Sequence, residues 1–189
     1  MIKALIFDCL GVVLTEYNDH WIEKHLNPAG RQALAAAELY PKNDLDQISD
    51  EKLYSGLSKL AGQSPAETER EIKSFIAPVR GMPELVRRYH GTYQTAILSN
   101  ASSSLRHKLD EFGLQPLFDK IVVSGEVGVR KPDPKIFQVA LDLLRVQPSE
   151  AIFIDDKLEN VLAAEGLGIM SVQFVSVSQL ENALGELLG

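Results

Sequence analysis

Short runs of apolar residues, each closed by a polar residue or a glycine, recur along the chain. Ile2–Phe7 is the first and is followed by Asp8 and a Gly11 turn. Thr95–Leu98, Ile121–Val123, Ala151–Ile154 and Ile169–Val175 repeat the form. Runs this short and without alternation fit strands buried on both faces, as in a parallel sheet. Between them, apolar residues recur at helical spacing. Ile136, Phe137, Ala140, Leu141 and Leu144 form one stripe, opened by Asp133-Pro134 as N-cap and first-turn proline. Leu105, Leu109 and Phe112 mark a helix closed by Gly113, Lys157–Glu165 another closed by Gly166, and Ser178, Leu180, Leu184 and Leu187 a terminal one. The alternation from about residue 81 onward predicts an α/β fold, a doubly wound parallel sheet of Rossmann-like type with helices on both faces.

Residues 15–80 break that rhythm. Ser64-Pro65-Ala66-Glu67 is a capping box followed by Ile72, Phe75 and Ile76 on one face, and Ser49-Asp50-Glu51 opens a helix bearing Leu53, Leu57 and Leu60. The expected organisation is a helical domain, 15–80, inserted into an α/β core of 1–14 and 81–189. The ligand crevice of such a sheet lies at the carboxyl ends of its strands, so this insertion would overhang it.

Composition narrows the class. The chain has 189 residues, 45% hydrophobic and 24% charged, which suits one core with a modest insertion. No apolar stretch approaches the roughly 20 residues of a membrane helix, so no membrane association is expected. Net charge is −7, and Lys and Arg never run beyond two together, which argues against nucleic acid as a partner. Cys9 is the one cysteine, so neither an internal disulfide nor a cysteine-built zinc site can form. Lys3 before an apolar run imitates a secretory leader, but Asp8 interrupts the run and no small-residue cleavage site follows Leu14. A cytoplasmic monomer or homodimer is expected.

Four polar features fall at predicted strand ends: Asp8, Ser99-Asn100, Lys131 and Asp155-Asp156. Each alone has an ordinary explanation as helix cap, turn or surface loop. Their convergence on one crevice does not. Carboxylates held within about 5 Å repel by roughly 3 kcal/mol per pair at an effective dielectric near 20. A cation or a bound proton makes that tolerable, and oxygen-only ligands favour Mg²⁺. Lys131 supplies a charge for a phosphate or a carboxylate nucleophile, while Ser99 and the amides of the Cys9–Gly11 turn offer donors to an oxyanion. Carboxylate, divalent cation, lysine and donor turn together make an apparatus for phosphoryl transfer through an aspartyl-phosphate.

The ordered set Asp8–Val12, Ser99, Lys131 and Asp155-Asp156 resembles the four motifs of the haloacid dehalogenase superfamily, and 15–80 resembles that family's small helical cap. The resemblance implies Asp8 as nucleophile, with Ser99 and Lys131 also catalytic. It implies Mg²⁺ held by Asp8, the Leu10 carbonyl and Asp155-Asp156. Ser99, Asn100, Lys131 and the Cys9-Leu10 turn would bind a small phosphorylated substrate. Phosphatases of the family carry a second Asp, as general acid and base, where Leu10 stands here. Its loss forgoes proton transfer, typically worth about 10²–10⁴-fold. Members similar to anomeric sugar-phosphate phosphatases share that loss, which suits substrates with easy leaving groups. The alternatives are a weakly catalytic ligand-binding or regulatory module and a 2-haloacid dehalogenase, whose halide leaves without a proton or metal. Six other residues are read more plainly. Cys9 is expected as a buried hydrophobe, and Arg130 as a surface charge ahead of a second phosphate-side cation. Asn160 is expected to orient Asp156 or to lie exposed. Tyr17, His20 and Trp21 either line the pocket or pack between helices.

Overall fold

The computed structural model describes residues 1–16 and 18–189. The strands are β1 (Ala4–Phe7), β2 (Gln94–Ser99), β3 (Lys120–Val123), β4 (Ala151–Asp155) and β5 (Met170–Gln173). All pair in parallel, in the order β3-β2-β1-β4-β5. Each is shorter or longer than its apolar run by one to three residues, because pairing and not hydrophobicity sets where a strand ends. Alternate β1 side chains face opposite layers. Leu5 and Phe7 join one buried cluster, while Ala4 and Ile6 join the other with the stripe from Ile136 to Leu144. That two-sided burial is why β1 reads as unbroken apolar sequence.

Five helices separate β1 from the rest of the core: α1 (Asn18–His25), α2 (Pro28–Ala37), α3 (Leu39–Asp44), α4 (Asp50–Ala61) and α5 (Pro65–Phe75). The outgoing and returning chains run side by side, with Thr15 N donating to Ala77 O at 2.8 Å and Val79 N to Val13 O at 2.9 Å. The cap signals at Ser49 and Ser64 open α4 and α5 as expected, the latter with its reciprocal capping box. Helices α1 to α3 were not anticipated. In α1 only Trp21 is buried, and α3 has six residues, too few for a stripe. Asn27-Pro28 at the start of α2 does carry the cap-and-proline signature. The core continues with α6 (Met82–Tyr89), α7 (Leu105–Glu111), the short α8 (Ser124–Val127), α9 (Pro134–Leu144), α10 (Leu158–Glu165) and α11 (Val177–Leu188).

After β3 the chain crosses to the other side of β1 to form β4. The strand order therefore reverses between β1 and β4, where Brändén's rule places a ligand crevice. Asp8 and Asp155 stand at the carboxyl ends of these two neighbouring strands.

Candidate active site

The fold brings the predicted residues to one point. Asp8 follows β1, Ser99 and Asp155 are the last residues of β2 and β4, and Lys131 comes from the loop between α8 and α9. Asp8, Asp155 and Asp156 each place an oxygen within 4.8 Å of the others. Lys131 Nζ lies 2.8 Å from Asp8 Oδ1 and 2.6 Å from Asp155 Oδ2. The lysine is 2% exposed, which a charged side chain sustains only with such partners.

The side chains of the cluster are not equivalent. Asp155 Oδ2 accepts from Lys131 and Asn160 Nδ2, and its Oδ1 from Asn160 Nδ2 at 3.0 Å and Lys157 N at 2.8 Å. Asp156 Oδ1, by contrast, is buried with no partner. Asn160 thus holds Asp155 and not Asp156. Gly11 sits against the same carboxylate, since a Cβ there would lie 2.6 Å from Asp156 Oδ2 with φ at +93°. Burial, opposed by Lys131, pushes the Asp8 carboxyl up to about 7. Asp156 is raised by its burial and then by neighbouring Asp155. Lys131, despite burial, is held above its ordinary range by Asp8 and Asp155. A cation among these carboxylates would favour their ionised forms.

Hydrogen-bond donors also lie at the neighbouring strand ends. Ser99 Oγ is buried and unpartnered. Cys9 N donates to Asp8 Oδ1 at 2.7 Å and Gly11 N to Leu14 O at 2.8 Å, so among the described residues Leu10 N is the free amide of this turn. Asn100 clamps the Lys131 backbone: its Nδ2 donates to Lys131 O at 2.9 Å and its Oδ1 accepts from Lys131 N at 2.7 Å. The Cys9 thiol is fully buried, and burial raises its pKa, as suits a packing residue.

Asp8, Leu10, Asn100 and Lys131 open into a cleft of about 170 Å³ whose far wall comes from the helical insertion, through Asn18, Ile22, Tyr40 and Asp44. Arg130 is no free surface charge. It lines this cleft and pairs with Asp44 at 3.2 Å, a contact between residues so distant in sequence that no local pattern announces it. Trp21 is fully buried against His25, and His20 stacks on Phe75, so neither lines the cleft. Tyr17 lies outside the described residues.

An open parallel sheet bearing this carboxylate–lysine–hydroxyl cluster at its switch point defines a Rossmann-like α/β protein with the site of a hydrolase. The chain belongs to the haloacid dehalogenase-like hydrolases, whose family model matches residues 2–168. A drimenol cyclase of Aspergillus calidoustus is 26% identical over all of this chain, which spans 37% of the cyclase. A sesquiterpene phosphatase of Aspergillus oryzae is 28% identical, covering 99% of this chain and 97% of its own. Among solved structures, a family enzyme of Bacteroides thetaiotaomicron in complex with magnesium and inorganic phosphate shares the fold. Its TM-score is 0.75 at 22% identity, covering 94% of this chain and 96% of that one. No helix among the described residues is long and apolar enough to cross a membrane.

Proposed function

We propose that the protein is a Mg²⁺-dependent phosphatase of a small phosphorylated metabolite, with Asp8 as nucleophile and residues 15–80 as its cap. The observation that carries this reading is the meeting of three carboxylates, with oxygens within 4.8 Å of one another, and a buried lysine paired with two of them, while the Ser99 hydroxyl at the end of neighbouring β2 is buried without a partner. The sesquiterpene phosphatase relative supports the same reaction class. A dehalogenase has no use for the carboxylate cluster, because halide departs without a cation to neutralise charge.

The donor set fits the ion. Asp8, the Leu10 carbonyl and Asp156 would hold it, the last because its Oδ1 is buried without a partner. Asp155, with both oxygens already bonded, would position Lys131 instead. When bound, Mg²⁺ would offset the clustered negative charge and that of the transferring phosphoryl group. An Asp8 oxygen attacks phosphorus, and the bond from phosphorus to the leaving oxygen breaks. Ser99 Oγ, Leu10 N and Lys131 Nζ hold the phosphoryl oxygens. Water then attacks the aspartyl-phosphate, releasing orthophosphate and restoring Asp8. Leu10 carries no proton to the leaving oxygen, so acyl phosphates and sugar phosphates esterified at the anomeric carbon suit the site. The test is orthophosphate release from p-nitrophenyl phosphate and acetyl phosphate, with Mg²⁺ and with chelator. Release that stops on chelation and in Asp8→Asn is expected; release indifferent to both contradicts the reading.

A further inference from the structure

The cleft also holds polar atoms that the proposed chemistry does not use. Tyr40 Oη, Asn18 Oδ1 and Arg130 Nε are buried and have no hydrogen-bond partner among the described residues. All three residues line the same cleft as Asp8. Beside them Asp44 neutralises Arg130 through Nη2 at 3.2 Å. Unpaired buried polar groups are uncommon and mark positions that a ligand or water completes.

Their chemistry selects the ligand. Arg130 Nε offers only a donor, the Asn18 oxygen only an acceptor, and the Tyr40 hydroxyl either role. Burial raises the Tyr40 phenol further above neutrality, so it keeps its proton. A ligand hydroxyl both donates and accepts and can satisfy all three. An ammonium could not accept from Arg130. A second phosphate would meet an arginine already neutralised by Asp44. A hydrocarbon would leave every one of these groups unpaired, at the cost that lets polar sites reject apolar analogues strongly. Size agrees: about 170 Å³ falls below the roughly 300–1,000 Å³ of typical ligand pockets.

We propose that Asn18, Tyr40 and Arg130 form a leaving-group subsite for a small hydroxylated alcohol, with Tyr40 a specificity-determining residue. This rests on the phosphatase reading and sets the chain apart from its sesquiterpene phosphatase relative. A C15 hydrocarbon has neither the size nor the hydroxyls this cleft asks for.

The experiment uses acetyl phosphate turnover as the reporter and two competitive inhibitors of equal carbon count. Glycerol 3-phosphate and n-propyl phosphate differ only in two hydroxyls. The expected result is inhibition about 10-fold tighter by glycerol 3-phosphate, one or two added hydrogen bonds' worth. Tyr40→Phe should weaken glycerol 3-phosphate by about 2- to 10-fold. It should leave propyl phosphate and orthophosphate unchanged, a pattern that general damage to the fold would not give. Equal inhibition by the two esters, or tighter inhibition by farnesyl phosphate, overturns the subsite. If acetyl phosphate is not turned over at all, the phosphatase reading fails. Calorimetric titration of the same two esters with Mg²⁺ present then tests the subsite by itself, with equal affinities again overturning it.

Discussion

Replacing Lys131 by methionine keeps the length of the side chain and removes the charge on which the carboxylate cluster depends. At 2.8 and 2.6 Å from two carboxylates, the ammonium gains about 6 kcal/mol from each at an effective dielectric near 20. Desolvation offsets most of that, and breaking a buried ion pair typically costs about 3–5 kcal/mol net. The loss is larger than a packing change would give, because methionine fills nearly the same space. Its pH dependence has a definite sign. Without Lys131, the folded-state pKa of Asp8, already pushed up to about 7, rises further above its unfolded value near 4. Asp8 is protonated in both folded proteins below pH 7, so the deficit should be level there and grow above pH 7, by up to about 1.4 kcal/mol per unit. Urea denaturation of both proteins at pH 6, 7.5 and 8.5 measures it. A deficit below about 1 kcal/mol at pH 7.5, or one that does not change with pH, would refute the electrostatic account of the cluster.

Saturating Mg²⁺ at about 100 times its Kd should add about 2.7 kcal/mol, or about 5–10 °C in Tm for a chain this size, and Asp156→Asn should abolish the shift. Thermal denaturation with and without the ion reads this directly. Leu10→Asp should raise turnover of simple alkyl phosphates by up to about 10²-fold while changing acyl phosphates little, checked by orthophosphate release alongside a melting curve. Asp50 accepts from Asn43 Nδ2 at 2.9 Å, Ser102 Oγ at 2.9 Å and Ser104 Oγ at 2.7 Å, tying the insertion to the loop after β2. Although burial opposes it, these bonds hold the Asp50 pKa below its ordinary value. Its contribution is present above pH 4 and is lost as pH falls through the folded pKa. Asp50→Asn should then cost about 1.5–3 kcal/mol at pH 7 and progressively less toward pH 3 in denaturant titrations.

The residues that cluster at the strand ends were legible in the sequence for a physical reason. A strand buried on both faces must be apolar throughout, so the first polar residue after it, as at Asp8, Ser99 and Asp155, stands out. Cap chemistry was equally readable, because Ser64 and Glu67 act over one turn. What stayed hidden depends on contacts between distant segments. Arg130 looked like a surface charge because Asp44, its partner, belongs to the insertion. For Asn160 the sequence offers a bond to Asp156 or an exposed position, but helix α10 buries it and aims its amide at Asp155. Helix α1 escaped notice since a single buried indole makes no stripe. The polar wall built by Asn18, Tyr40 and Arg130 exists only once the insertion folds over the sheet.

Covalent capture at Asp8 tests the central claim most directly. The protein is mixed with acetyl phosphate and Mg²⁺, quenched in acid, reduced with borohydride and digested for mass spectrometry. An aspartyl-phosphate at position 8 is reduced to homoserine, so the account predicts homoserine there only when substrate and metal are both present. Steady hydrolysis of acetyl phosphate with residue 8 recovered solely as aspartate would contradict it.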